Sequence, residues 1–87
     1  MAKSVTVKCF LTREERENGS PEDVYEEVMF VTPVDLRKFV DKNFGSSLYL
    51  SYYRENGERI NSGGNFGEGP FEIAIKYLEG EKKIKPL

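Results

Sequence analysis

Apolar and polar residues alternate strictly from Val5 to Thr12, with Val5, Val7, Cys9 and Leu11 on one side and Thr6, Lys8, Phe10 and Thr12 on the other. A period of two predicts a strand with one face turned to a core, and it points Cys9 inward as a small buried hydrophobe. Arg13 to Asp23 is polar and is broken by Asn18-Gly19-Ser20-Pro21, so it reads as a loop or long hairpin connection. Loops of that length are uncommon in compact domains and often functional, which makes this one the first candidate binding element. Val24 to Val31 reads as a second strand, with Val24, Val28 and Phe30 on one face and Tyr25, Glu27, Met29 and Val31 on the other.

The period then becomes helical. Thr32 is placed as an N-cap, Pro33 takes the first helical position where its missing N–H costs nothing, and Asp35 suits the helix dipole. Leu36, Phe39, Val40 and Phe44 recur at three- and four-residue spacing, with Arg37, Lys38, Asp41 and Lys42 turned to water and Gly45 as the left-handed terminator. Leu48 to Arg54 alternates again, setting Leu48, Leu50 and Tyr52 opposite Tyr49, Ser51 and Tyr53. Asn56-Gly57 predicts a two-residue type I′ hairpin turn, and Glu58 to Asn61 a short return strand. Beyond the glycine-rich run from Ser62 to Pro70, the alternation of Phe71, Ile73, Ile75 and Tyr77 predicts a long final strand, with Ile84 in a short last strand or a frayed tail.

This order predicts a single α+β domain over residues 1–87: a mixed, four- to five-stranded sheet with one helix packed on one face, which is β-grasp-like. A single helix covers one face, so the other must be polar or meet a partner. Phe10, Tyr25, Met29, Tyr49 and Tyr53 fall on that second face and form a candidate contact patch, although a one-residue slip in register would turn them into core.

Composition sharpens the functional side. An apolar share of 38% in 87 residues can close one modest core, so an ordered domain is expected. A net charge of -2 implies no general attraction to nucleic acid or an anionic membrane. Its distribution is more telling: Glu14, Glu15, Glu17, Glu22, Asp23, Glu26 and Glu27 face one base, Arg16, whereas Lys76 to Leu87 is rich in lysine. The plain reading of the acidic end is a solvated loop, and the sharper one is a surface that faces a basic partner.

Histidine is absent, which removes the usual general base and the commonest metal ligand, and one cysteine cannot build a zinc or iron–sulfur set. No catalytic residue, cofactor or metal is therefore expected. A carboxylate enzyme or small-ligand binder using Glu26, Glu27 or Asp35 would need a pocket that raises one carboxyl pKa. The run Gly63-Gly64-Asn65-Phe66-Gly67-Glu68-Gly69 has no Gly-Lys-Ser/Thr and leads into the expected strand, so it reads as a connecting loop with Phe66 at its tip as a contact residue. A lone cysteine and no apolar leader point to a reducing cytoplasm, and no stretch reaches the ~18 apolar residues of a membrane span.

Two family resemblances bear on function. Glu27 leads Val28-Met29-Phe30-Val31 into Pro33 and Asp35, and the chain closes on Gly80-Glu81-Lys82-Lys83-Ile84-Lys85-Pro86-Leu87. Glu26 to Asn56 together with that ending resembles the phage uracil-DNA glycosylase inhibitors. The resemblance implies that Glu27 and Asp35 imitate DNA phosphates and that Met29, Leu36, Phe39 and Val40 line an apolar pocket for a side chain of the enzyme. The chain departs from that family in its strand-like opening, its lower acidity, and Arg37 and Lys38 on the helix. Lys8, and the hairpin Tyr53-Arg54-Glu55-Asn56-Gly57-Glu58, are similar to the basic and acidic contacts of ubiquitin-like Phox and Bem domains, which implies head-to-tail association. The expected function is a non-enzymatic protein-binding module, an inhibitor or accessory factor acting through the acidic loop and an exposed sheet edge or face. Its contact residues are Glu14, Glu15, Glu17, Glu26, Glu27, Met29, Asp35, Tyr49, Tyr53 and Phe66. The expected partner is a protein with a basic surface or a DNA-processing enzyme, with no direct nucleic acid or membrane, and the chain is expected to be a monomer or weak homo-oligomer.

Overall fold

The computed structural model describes residues 3–61 and 69–80. Its strands are β1 (Val5–Phe10), β2 (Glu26–Phe30) and β3 (Tyr49–Arg54), and its helices are α1 (Arg13–Asn18), α2 (Pro33–Lys42) and α3 (Pro70–Glu79). β1 lies at the centre of a three-stranded sheet in the order β2-β1-β3, antiparallel to both neighbours. The class is α+β. The sheet is smaller than the four to five strands expected, and among the described residues it is antiparallel throughout instead of mixed, carrying three helices instead of one.

Register sorts the side chains onto two faces. Val7 pairs with Val28 and Tyr52, and Val5 with Phe30 and Arg54, so these residues share the first face with Cys9, Glu26 and Leu50. Val5, Val7, Cys9, Leu36, Tyr52, Ile60, Ala74 and Ile75 form one buried cluster there, between the sheet and helices α2 and α3. Two ring pairs seat the helices: Phe30 of β2 lies 5.2 Å from Phe39 of α2, and Tyr52 of β3 lies 6.3 Å from Phe71 of α3, both tilted.

α2 begins where its caps dictate: the Asp35 N–H donates to Thr32 Oγ1 at 3.2 Å, with Pro33 at the first position. It ends at Lys42, so Phe44 lies past its last turn and is 88% exposed, outside the core it was expected to join. Leu11, expected inward, is likewise exposed, because β1 stops at Phe10.

The largest correction is α3, expected as a strand. Phe71, Ile73, Ile75 and Tyr77 alternate, but Phe71, Ala74, Ile75 and Leu78 also recur at helical spacing, and Ala74 and Ile75 are the buried pair. Its ends carry helix signals: Pro70 at the first position, the Glu72 carboxylate accepting the Gly69 N–H at 3.0 Å, and Gly80 left-handed at φ 84°. Arg13–Asn18, expected as loop, is helical for the same kind of reason. Thr12 Oγ1 accepts the Glu15 N–H at 3.1 Å, and Gly19, at φ 66°, returns its N–H to the Glu15 carbonyl at 2.9 Å. α1 buries no residue of its own, which is why no hydrophobic period announces it.

The turn after β3 also differs. The Gly57 N–H donates to the Arg54 carbonyl and the Arg54 N–H to that of Glu58, both at 2.9 Å, so Glu55 and Asn56 are the central residues and Gly57 follows in left-handed geometry at φ 89°. The return segment makes one bridge, Tyr53 to Arg59, and places Ile60 in the core. Phe66, the glycine-rich run before Gly69, and Ile84 lie outside the described residues.

α3 is tied to the hairpin at its far end. The Tyr77 hydroxyl donates into the Glu55 carboxylate, 2.7 Å from each oxygen, and Glu55 also accepts the Ser4 N–H at 3.1 Å. These bonds hold the Glu55 carboxyl below its ordinary value of 4.5. A carboxylate whose pKa is lowered by folding contributes stability above the ordinary value and loses it as pH falls through the folded value. Between about pH 6 and about pH 3, urea unfolding should therefore show a slightly steeper loss of stability in the wild type than in Tyr77→Phe. In the core, Leu36 is fully buried, and Leu36→Ala should cost about 2–5 kcal/mol in the same assay.

Candidate functional site

The second face of the sheet carries Thr6, Lys8 and Phe10 from β1, Glu27 and Met29 from β2, and Tyr49, Ser51 and Tyr53 from β3. α1 folds back over part of it. Phe10, expected in the exposed patch, is fully buried on this side, because α1 packs on β1 and β3 around the Phe10–Tyr49 pair. The Arg16 guanidinium lies 5.6 Å from the Tyr49 ring centre, and Arg59 reaches Ser51 Oγ at 3.5 Å and the Glu17 carbonyl at 3.4 Å. Beside α1 the face stays open as a groove of about 240 Å³ bounded by Thr6, Lys8, Glu27, Tyr53 and Arg54.

The backbone then turns through Pro21–Asp23, and the Tyr25 N–H donates to the Cys9 carbonyl at 2.8 Å, which lays β2 alongside β1. An acidic ridge results. Glu14, Glu17, Glu22, Asp23, Glu26 and Glu27 are all exposed along α1, the turn and the start of β2. Glu15 is half-buried, with one carboxylate oxygen shielded and accepting no hydrogen bond among the described residues. Next to the ridge stand large apolar side chains facing water: Tyr25 (62% exposed), Met29 (62%), Val31 (55%) and, at the start of α2, Val34 (60%).

Of the residues singled out from the sequence, Glu27, Met29, Tyr49 and Tyr53 share the second face. Glu14, Glu15 and Glu17 flank that face on α1. Glu26 and Asp35 do not join them: Glu26 points to the first face beside Cys9, and Asp35 sits in the first turn of α2. Glu26, Glu27 and Asp35 therefore do not converge on one pocket. Met29 points away from Leu36, which is sealed in the core, so these two do not line a common pocket either. Lys8 is engaged within the chain, 4.5 Å from the Tyr53 ring centre and paired across the strands with Glu27. Phe66 lies outside the described residues.

Sequence reasoning missed Val34 as a surface residue, since valine is more often core, whereas Val31 is exposed on the face the alternation gave it. It also missed a cleft of about 350 Å³ at the edge of β3, where Arg16 and Arg59 meet Ser51, Asn61 and Pro70. The one signal for that cleft was Arg16 as the lone base in an acidic run.

Burial and the neighbouring Glu26 carboxylate push the Cys9 thiol up to about 11, and burial is the main cause that takes the Tyr52 hydroxyl to about 12. Among the described residues no group of three or more cysteine, aspartate or glutamate side chains could hold a metal ion, and no helix is long and apolar enough to cross a membrane. Comparison with known proteins returned no match to any family model, curated protein or solved structure. Cys9 should resist a soluble disulfide reagent at neutral pH in the folded protein and react at the rate of unfolding; rapid stoichiometric labelling would contradict its burial.

Proposed function

We propose that this protein is a non-enzymatic binding module, an inhibitor or accessory factor, that engages a protein partner through the acidic ridge and the strand edge beside it. The observation that carries the reading is a set of six exposed carboxylates on α1, the Pro21–Asp23 turn and β2, of which those on the turn and β2 neighbour water-facing Tyr25, Met29 and Val31 along the chain. The summed field of these carboxylates attracts a basic partner, and the apolar side chains supply desolvated contact. A polar ridge around apolar anchors is the usual anatomy of a protein interface.

Affinity capture tests this directly. Wild-type protein should retain a basic partner at low salt and release much of it at high salt. The variant Glu14→Lys, Glu17→Lys, Glu27→Lys should associate about tenfold or more slowly, because all three carboxylates are exposed and steer the encounter. Identical capture by both proteins, without salt dependence, would remove the proposal.

A DNA-processing enzyme has the required basic groove, and the exposure of Glu27 keeps uracil-DNA glycosylase as the first such partner to assay. Salt-sensitive inhibition of uracil excision, lost in Glu27→Lys, is the expected outcome of that reading. An enzyme that remains active at micromolar protein excludes it.

A further inference from the structure

β2 is an edge strand. It pairs with β1 on one side only, and among the described residues nothing pairs with its outer side, whereas the outer side of β3 is partly closed by Arg59 and Ile60. An open edge offers backbone donors and acceptors as a template for another extended chain. We infer that β2 accepts an added antiparallel strand from a partner protein, a segment with three apolar residues followed by two basic ones. This rests on the binding-module reading and names the chemistry of the occupant.

The pattern follows from β2 itself. In an antiparallel addition the incoming residues meet Phe30, Met29, Val28, Glu27 and Glu26 in that order. Val28 and Phe30 are half-buried on the first face, Phe30 against Phe39 of α2, so side chains opposite them extend the apolar layer of that face. Met29 is exposed on the second face and takes an apolar neighbour. Glu27 and Glu26 point to opposite faces, so a basic residue opposite each places one cation on each side of the added strand. The antiparallel sense matches every other pairing in the sheet.

Charge selects against a second copy of this chain. Self-pairing centred on Val28 would set Glu27 against Met29 and Glu26 against Phe30 of the other copy, desolvating four carboxylates against apolar side chains. Acidic residues on an edge strand are a known guard against such self-association. A basic occupant turns the same guard into a selection rule.

The test uses the full chain and two capped peptides, one with the core Ile-Val-Val-Lys-Lys and one with the core Ile-Val-Val-Glu-Glu. Amide hydrogen exchange by NMR is read at the amides of Glu26 to Phe30 that do not face β1. The lysine peptide should slow exchange there, the glutamate peptide should bind about tenfold or more weakly, and a proline at the central valine should abolish the protection. The double variant Glu26→Lys, Glu27→Lys should invert the preference; both side chains are exposed, and unchanged thermal unfolding would show that the domain is intact. Equal binding of the two peptides, or peptide contacts confined to α1 or the open groove, would overturn strand addition. Contacts at α1 that weaken with salt would still leave the binding-module reading standing. Protection, without peptide, of the β2 amides that do not face β1 would also overturn the inference: growth with protein concentration would assign the edge to a second copy, and independence of concentration would assign it to the chain itself.

Discussion

The structure depends on the burial of β1 from both sides. Val5, Val7 and Cys9 are fully enclosed between the sheet and helices α2 and α3, and Phe10 is fully enclosed on the side that α1 covers. A central strand with both neighbours antiparallel satisfies its own backbone groups, and its side chains collect two layers at once. In a chain this short, with a limited interior, that arrangement places the most apolar area on the fewest residues. α2 and α3 are then seated by ring contacts from the flanking strands, Phe30 to Phe39 and Tyr52 to Phe71.

Centrality for β1 leaves two edges, and they are treated differently. The hairpin at Glu55 to Gly57 brings Arg59 and Ile60 back against β3, and the Tyr77–Glu55–Ser4 bonds fasten that corner to α3 and the start of β1. β2 receives no such cover among the described residues. Glu26 and Glu27 lie on the open β2 edge, whereas Glu17 of α1 lies toward β3 beside Arg59, so the acids of β2 alone mark the uncovered margin. α1 lies over β1 and β3 without a core of its own: it buries none of its residues, yet it covers Phe10 and displays Glu14 and Glu17.

Much of the local structure was legible. The strand phases of β1, β2 and β3 follow from alternation, and α2 follows from Thr32, Pro33 and the spacing of Leu36, Phe39 and Val40. α3 was misread because Phe71, Ile73, Ile75 and Tyr77 satisfy a period of two while Phe71, Ala74, Ile75 and Leu78 satisfy 3.6; Pro70, Glu72 and Gly80 were the deciding signals. α1 was misread because a short polar helix has no hydrophobic period, and only Thr12 and Gly19 mark it. Of the candidate site, the acids, Met29 and the outward side of Val31 were recognised from charge and phase, whereas the exposure of Val34 was not.

By itself, the sequence determined the α+β class, the inward side of each strand, the start of α2 and the concentration of acid between Glu14 and Glu27, because these depend on residue type and short-range period. Strand order, the antiparallel sense of every pair, the enclosure of Phe10 and the openness of β2 were decided only in three dimensions. Each of these depends on which element lies beside which, and a one-dimensional pattern carries no record of a neighbour distant along the chain. The separation of Glu26 from Glu27 onto opposite faces of one strand shows the division: alternation predicts that they diverge, and the tertiary structure decides that one lies beside Cys9 and the other beside the open groove.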